Sequence, residues 1–168
     1  MSLSIVALTS AQLASLLADP AQLDGMPVAD GAAPPECLLR VALEALRRPA
    51  PADLALFAFI SASPAQVVGS AMLKRWSEAG RVEVGYGVAE SARGKGVATA
   101  AVRLLIARAF ADPGVGEVYA ETAVANTASR RVVEKAGFQH VGQRDSEEDG
   151  RVDQWVIARQ RFRIGTDD

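Results

Sequence analysis

The chain has 168 residues, a length typical of one domain and too short for two ordinary ones. Hydrophobic residues make up 49% and charged residues 23%, which argues against a disordered chain, and the net charge of −2 gives no general attraction to nucleic acid or anionic lipid. With one cysteine, Cys37, and one histidine, His140, the sequence excludes an internal disulfide and a multi-thiolate zinc site, so we expect no metal and a reducing, cytoplasmic setting. The N-terminus has no basic region and no apolar run approaches about 18 residues, so we expect neither secretion nor a membrane span.

The first third of the chain predicts a strand, two helices and a loop. Residues 2–8 form a β-type run, and Thr9 or Ser10 can cap the helix that follows. Residues 24–35 are rich in Gly, Pro and Ala, which predicts a loop. Apolar residues recur at helical spacing over 36–48, which predicts the second helix.

The remainder of the chain predicts an α+β fold. Three strand candidates separated by turn residues indicate an antiparallel meander, and the segments after it alternate between helix and strand before a closing hairpin. This order predicts one mixed, mostly antiparallel central sheet with helices on both faces, in a single domain over 1–168. The predicted strands are 54–61, 66–74, 81–88, 115–124, 138–144 and 154–161, and the predicted helices are 91–111 and 126–136.

A glycine-containing turn, R-G-K-G at 93–96, leads from the third of these strands into the strongest helix signal. Unpaired backbone N–H groups and the dipole at a helix N-terminus form an anion site, so a phosphate or pyrophosphate is its natural occupant. The alternative is that Gly94 and Gly96 only make a tight turn. A dinucleotide fingerprint fails because Thr99 stands where its third glycine would be, and a P-loop fails because Lys95 precedes its glycine neighbour. The G-x-S-x-G elbow of a serine hydrolase is absent.

Two sequence motifs resemble the GNAT N-acetyltransferase superfamily. R-G-K-G-V-A at 93–98 resembles its acetyl-CoA pyrophosphate signature, Q/R-x-x-G-x-G/A, and the segment at 121–138 resembles its second motif, N-x-x-S-x-x-V-x-E-K-x-G-F. The strand sequence G-Y-G-V and the closing V-D-Q-W-V-I-A-R are similar to the branch that contains ribosomal-protein N-terminal acetyltransferases. The resemblance covers residues 66–161. It implies a GNAT-type fold and transfer of an acetyl group from acetyl-CoA to a primary amine through a direct ternary complex.

The resemblance also implies a set of acetyl-CoA contacts. Main-chain groups of Tyr86 and Val88 would contact the pantetheine, with the Tyr86 amide near the thioester carbonyl, where one fixed N–H stabilises developing negative charge. Asn126 would contact the pantetheine arm, and its other reading, as the N-cap of its helix, is compatible with that role. The pyrophosphate would be held by backbone amides of the turn formed by Arg93, Gly94, Lys95, Gly96, Val97 and Ala98.

Acyl transfer to an amine also needs a proton acceptor and a donor to the departing thiolate. Glu83 and Glu121, on neighbouring predicted strands, are candidate acceptors, although each could be an ordinary solvent-facing carboxylate and a water relay would replace both. Many family members carry a tyrosine donor where this helix has Val133, which leaves Ser129 as the nearest hydroxyl of the motif. Ser129 could instead be a small residue that allows close helix packing.

Two hypotheses stand beside the enzyme. One is a non-catalytic acyl-CoA binding or sensing module, which the absent tyrosine allows, and the other is an interaction domain whose glycine loop is only a turn. For the enzyme, the acceptor would be a protein N-terminus or a small amine, selected by residues 24–35, the second helix and the acidic turn at 145–149. The sequence leaves the oligomeric state open, a homodimer included. Cys37 is expected to be a core thiol and His140 an ordinary strand residue.

Overall fold

A computed structural model gives the structure of residues 2–48, 53–76 and 80–162, in which nine strands and four α-helices are described. The strands are β1 (Leu3–Ala7), β2 (Gln22–Leu23), β3 (Met26–Pro27), β4 (Leu54–Ala62), β5 (Ala65–Trp76), β6 (Arg81–Val88), β7 (Glu117–Ala123), β8 (Gln139–Ser146) and β9 (Gly150–Ala158). The helices are α1 (Ser10–Ala18), α2 (Glu36–Leu46), α3 (Val97–Phe110) and α4 (Thr127–Ala136).

Seven of the strands form one sheet in the order β1-β4-β5-β6-β7-β9-β8. Neighbouring strands are antiparallel except for β6 and β7, which run parallel because α3 crosses over between them. Strands β2 and β3 form a separate two-stranded hairpin. The predicted α+β class, with a mixed and mostly antiparallel sheet, is confirmed.

The sheet separates two hydrophobic cores. Helices α3 and α4 pack on one face and helices α1 and α2 on the other, as predicted. Strand β4 contributes to both cores, because Phe57 and Phe59 point towards α3 and α4 whereas Leu56 and Ala58 point towards α1 and α2. Burial on both faces explains why this strand reads as a nearly continuous apolar run.

Local capping fixes the ends of two helices where the sequence places them. At the start of α1, the Thr9 hydroxyl accepts from the Gln12 amide at 3.3 Å, and the Gln12 side chain accepts from the Thr9 amide at 2.9 Å, which completes a capping box. Helix α4 begins after Asn126 and ends at Gly137, whose φ of 99° lies in the left-handed region. Such caps stabilise a helix by about 1 kcal/mol each.

The predicted loop at 24–35 is more ordered than its composition suggests. It contains β3, its Val28 forms an isolated parallel bridge with Val67 of β5, and Ala32 has no exposed surface. Small apolar residues of this segment complete the core between α1, α2 and the sheet. Packing therefore orders a segment whose Gly and Pro content predicts irregular structure.

The expectation that Cys37 is a core thiol is wrong, because its side chain is exposed. The buried residues of α2 are Leu39 and Ala42. Position 37 lies about 200° around the helix from position 39, so its side chain faces away from the sheet.

Candidate active site

The parallel strands β6 and β7 diverge shortly after they meet. They pair only from Arg81 opposite Glu117 to Glu83 opposite Tyr119, whereas β6 continues to Val88. On its other edge β6 stays paired with β5 along this whole length. In the described strands, β6 beyond the last pair therefore has no strand partner on the side of β7, and its main-chain groups there can bind an extended ligand as a strand would. We call this opening the fork.

A first cleft of about 520 Å³ lies beside the fork, on the sheet face that carries α3 and α4. It contains every predicted acetyl-CoA contact except Lys95, whose ammonium donates to the Ser91 carbonyl at 2.8 Å. The predicted thiolate donor Ser129 also lines this cleft. The lining residues are Tyr86, Gly87, Val88, Ala92, Arg93, Gly94, Gly96, Val97, Ala98, Thr99, Asn126, Ala128, Ser129, Arg131, Val132 and Lys135.

The glycine turn delays the start of α3 and leaves its first amides uncapped. A helix is predicted from residue 91, but α3 begins only at Val97, because Gly94 and Gly96 have φ angles of 72° and 77° in the left-handed region. No side chain caps this helix end, and an added Cβ at either glycine would meet no heavy atom within 4 Å. The uncapped end of α3 therefore lies at the first cleft, which Gly96, Val97 and Ala98 line, and such a helix N-terminus can bind an anion.

The N-terminal half of α4 forms the opposite wall of the first cleft. The Asn126 side chain accepts from the Ser129 amide at 3.0 Å, so Asn126 is the N-cap of α4 while it also lines the cleft. The Tyr86 hydroxyl donates to the Ser129 carbonyl at 3.2 Å and so joins β6 to α4. Burial raises the pKa of Tyr86 to about 12, against the opposing effect of the hydrogen bond at Ser129, so the phenol stays neutral at physiological pH.

Val133 belongs to the hydrophobic core and has no exposed surface. Its neighbour Val132 lines the first cleft instead. The position at which the family often carries a tyrosine is thus filled by a packed aliphatic side chain. The role of Ser129 as donor to the thiolate stays a prediction.

Glu83 lies at the fork but points away from the first cleft. Its neighbours Val82 and Val84 are buried against α3 and α4, so strand alternation directs Glu83 to the other face of the sheet. There it lines a second cleft of about 500 Å³ between α2, the sheet and the β8–β9 turn. Within the described residues its carboxylate has no hydrogen bond or ion pair. The second cleft is lined by Leu38, Val41, Ala45, Arg48, Asp53, Leu54, Met72, Lys74, Glu83 and Glu148.

The Glu121 side chain lies on the same face of the sheet as Glu83, but neighbouring side chains donate hydrogen bonds to its carboxylate. Arg144 donates from Nε and Nη2 to its two carboxylate oxygens, each at 2.6 Å, and the Tyr119 hydroxyl also donates to it. Burial would raise the pKa of Glu121, but the hydrogen bonds from Arg144 and Tyr119 outweigh it and leave the pKa below its usual range. A carboxylate stabilised in this way accepts a proton poorly, so the geometry favours Glu83 over Glu121 as the acceptor.

The sequence analysis did not identify several residues in or near the two clefts. Arg144 is 23 positions from Glu121 along the chain and reaches it only through strand pairing, so no local signal marks the pair. Arg131 and Lys135 lie within the second motif and line the first cleft from α4, but the motif gave them no separate role. Val41, by contrast, has a signal in the sequence. It is an apolar residue outside the apolar stripe of α2, and an apolar residue in that position could have indicated a binding surface.

The remaining candidates lie outside both clefts. His140 contacts the buried carboxylate of Asp153 at 3.0 Å and packs edge-on against Trp155, in keeping with its expected role as a strand residue. Within residues 2–48, 53–76 and 80–162 no three His, Cys, Asp or Glu side chains are grouped as metal ligands would be. None of the helices in these ranges is long and apolar enough to cross a membrane.

Solved acetyltransferases share this fold. The aminoglycoside acetyltransferase AAC(6')-Ib in complex with coenzyme A is 22% identical over 96% of this chain and 97% of its own, with a TM-score of 0.70. AAC(6')-Ib in complex with paromomycin and acetyl-CoA is 22% identical over 100% of this chain and 99% of its own, with a TM-score of 0.72. A dodecameric spermidine N-acetyltransferase from Vibrio cholerae is 17% identical over 98% of each chain, with a TM-score of 0.71.

A curated protein of Bacillus subtilis (strain 168), named "Putative ribosomal N-acetyltransferase YdaF", is 42% identical over 62 residues. These residues are 37% of this chain and 34% of that protein, so the match spans about a third of the relative's length.

A family model described as "Acetyltransferase (GNAT) domain" matches residues 9–139. The match extends over more than half of the chain and includes β6, the glycine turn and α4. The predicted family is confirmed. The chain belongs to the GNAT acetyltransferase domain family.

Proposed function

We propose that this protein transfers an acetyl group from acetyl-CoA to the primary amine of a protein N-terminus or a small molecule. The observation that carries the proposal is the fork between β6 and β7. It lies between a cleft with an uncapped helix N-terminus on one face of the sheet and a cleft on the other face that is lined by Glu83, which has no ion pair with any residue in the described ranges. A thioester held in the first cleft and an amine held in the second would meet there.

The first cleft fits the charge and shape of acetyl-CoA. Backbone amides of the turn at 93–98 would hold the pyrophosphate, and Arg93, Arg131 and Lys135 line the same cleft with positive charge that complements phosphate. Main-chain groups of Tyr86 and Val88 at the fork would bind the pantetheine. The Tyr86 amide would stabilise the negative charge that develops on the thioester oxygen.

The reaction is a direct attack in a complex of both substrates. The amine nitrogen forms a bond to the thioester carbon, the C–S bond breaks, and CoA leaves as a thiolate. Glu83 accepts the proton that the nitrogen must lose, either from the bound ammonium before attack or from the tetrahedral intermediate, directly or through water. The thiolate takes a proton from Ser129 or from water.

The similar proteins support two classes of amine acceptor. The Bacillus subtilis protein is named as a ribosomal N-acetyltransferase, which supports a protein N-terminus, whereas the solved structures act on aminoglycosides or spermidine, which supports a small amine. The alternative of a non-catalytic acyl-CoA sensor is favoured by one observation, the aliphatic Val133 at the position of the usual tyrosine.

The test combines ligand binding with turnover. CoA should raise the Tm of the wild-type protein, and Gly96→Val should abolish this rise by crowding the phosphate site. Gly25→Val is the matched control, because Gly25 has a φ of 78° against 77° for Gly96 and both have open space around them. Each variant should lose about 1–2 kcal/mol of stability from strain, but only Gly25→Val should keep the CoA response.

Turnover separates the enzyme from the sensor. Thiol release from acetyl-CoA that depends on an added amine supports the proposed function. CoA binding without amine-dependent thiol release across peptides and small amines would instead identify a sensor. An unchanged CoA response in Gly96→Val would refute the assignment of the pyrophosphate site.

A further inference from the structure

Given the proposed function, we infer that the second cleft selects a primary amine that carries an aliphatic chain next to its amino group. Such a substrate is an alkylamine or a peptide whose first side chain is aliphatic. It differs from the polycationic amines that the solved structures of similar fold act on.

The first observation is the aliphatic lining of the second cleft. Leu38, Val41 and Ala45 line it from α2, and Leu54 and Met72 line it from the sheet, so five of its ten lining residues among those that the structure describes are apolar. Two opposed apolar walls exclude water from anything placed between them. They therefore favour a hydrocarbon chain over a polar one.

The second observation is the exposure of Val41. Its side chain is 57% exposed, although α2 already has a core-facing stripe that buries Leu39 and Ala42. An exposed apolar side chain in a concave surface gains free energy when a ligand covers it. Val41 thus has a use for ligand binding that it does not have for folding.

The third observation is that the carboxylate of Glu83 lies at the end of the cleft that is next to the fork. Glu83 lies at the fork, where β6 and β7 last pair, and it lines the cleft together with the apolar residues. An ammonium group near Glu83 would lie on the second-cleft side of the fork, about three strand residues or roughly 10 Å along β6 from Tyr86, and would have charge complementarity with the carboxylate. The attached chain would then extend along the sheet towards Val41 and Leu38.

The fourth observation is the small net charge of the cleft lining. Among the described lining residues, Asp53, Glu83 and Glu148 carry negative charge and Arg48 and Lys74 positive charge, which leaves one excess negative charge. A single ammonium matches that excess. A polyamine or aminoglycoside would bring further positive charges close to Arg48, Lys74 and the aliphatic wall, which costs binding free energy.

The experiment measures kcat/KM for propylamine, butylamine, pentylamine and hexylamine, for tripeptides that begin with Leu or Ser, and for spermidine and kanamycin. We expect kcat/KM to rise about fourfold per added methylene until the cleft is filled. The Leu tripeptide should exceed the Ser tripeptide by at least about tenfold. A comparison of the Leu tripeptide with hexylamine identifies whether a peptide or a free amine is preferred, and either result supports the inference.

Val41→Lys tests the apolar wall directly. It should flatten the dependence on chain length and lower kcat/KM for hexylamine about tenfold, with little change for propylamine. The matched control is Val141→Lys, since Val141 is 58% exposed on β8 and lies outside both clefts. An unchanged CoA-induced rise in Tm shows that each variant is folded and binds CoA.

Higher kcat/KM for spermidine or kanamycin than for every aliphatic amine would overturn the inference and leave the proposed function intact. A kcat/KM that does not change with the chain length of the amine, in the wild type and in Val41→Lys alike, would also overturn the inference. If no amine is acetylated, the proposed function fails. The inference is then tested by comparing the Tm of the CoA complex with and without an added aliphatic amine. A rise in that Tm with hexylamine, lost in Val41→Lys, supports the aliphatic site, and no rise with any aliphatic amine refutes it.

Discussion

Two glutamates on one face of the sheet show how surroundings assign different roles to the same residue type. Glu83 lies directly opposite Tyr119 in the register, and Glu121 follows two residues later on the same strand as Tyr119. Arg144 binds both carboxylate oxygens of Glu121, whereas Glu83 has no such partner in the described part of the chain. A carboxylate fixed by an arginine holds structure together, and an unpaired one at the fork is available to a proton.

Glu83→Gln should lower kcat by about 100-fold or more, because the amide cannot accept the proton that the amine nitrogen must lose during acetyl transfer. Glu121→Gln should have a clearly smaller effect on kcat. Steady-state acetylation rates across pH measure both, and the CoA-induced rise in Tm should be unchanged in each variant. Near-wild-type rates for Glu83→Gln at all pH values would mean that the amine arrives deprotonated from solution.

Glu121 should instead contribute to stability in a way that depends on pH. Its pKa in the folded protein lies below the ordinary value of 4.5, so the unfolded chain holds this proton more tightly. The stabilisation is therefore fully present above the ordinary pKa and is lost as pH falls through the folded-state value. Glu121→Gln should lower the Tm near neutral pH, and the difference from wild type should shrink between about pH 6 and about pH 3.

Thermal melts at several pH values check this expectation. Glu134→Gln, which changes an exposed carboxylate on α4 outside both clefts, serves as the control and should leave the Tm close to that of the wild type. A Tm deficit of Glu121→Gln that stays constant with pH would contradict the role of the carboxylate charge.

At the scale of secondary-structure elements, two glycines on neighbouring strands have different surroundings. A Cβ on Gly69 of β5 would lie 2.5 Å from the Gly87 carbonyl oxygen and 2.7 Å from the Phe59 ring. A Cβ on Gly87 of β6 would meet no heavy atom within 4 Å, and Gly87 lines the first cleft. Close strand packing therefore requires the first glycine but not the second, at which alternation along β6 directs a Cβ to the open space on the face of Glu83.

This difference predicts different phenotypes for two alanine substitutions. Gly69→Ala should cost about 1–3 kcal/mol and lower the Tm by several degrees, because backbone atoms of β6 must move. Gly87→Ala should leave the Tm of the free protein and the CoA-induced rise in Tm nearly unchanged, because strand alternation directs its methyl group to the face of Glu83, away from the first cleft. Thermal melts with and without CoA measure both effects, and the reverse pattern would refute the assignment of the two glycines.

At the scale of the whole molecule, the sheet separates the two clefts and the fork connects them. The first cleft is formed with α3 and α4 and the second with α2. Under the proposed function, acetyl-CoA and the amine would therefore approach from opposite faces of the sheet. Neither has to leave before the other binds. Cys37, the one thiol of the chain, is exposed and lines neither cleft, so it is not placed to carry an acetyl group.

Initial rates should accordingly fit a sequential mechanism, with intersecting lines in double-reciprocal plots when both substrates are varied. Cys37→Ser should retain the wild-type rate. Mass spectrometry of the protein incubated with acetyl-CoA alone should show no acetylated cysteine. Parallel lines, or an acetyl-cysteine that reacts with added amine, would refute direct transfer.

The sequence by itself determined the class of fold, the family and the first cleft. Period-2 and period-3.6 patterns locate most strands and helices, and caps such as Thr9 and Gly137 mark helix ends, because these signals are local. The glycine turn and the second motif also lie in continuous segments. Eight of the nine predicted acetyl-CoA contacts therefore line one cleft, with Lys95 turned to the Ser91 carbonyl.

Only the tertiary structure decided between the two glutamates and revealed the second cleft. The ion pair of Glu121 with Arg144 depends on the pairing of three strands, and the lining of the second cleft comes from α2, three strands and a turn. The order of the segment 24–35 likewise depends on the core it completes. Contacts between residues far apart in the chain leave no spacing to read in one sequence, because they are fixed by packing and register rather than by local backbone preference.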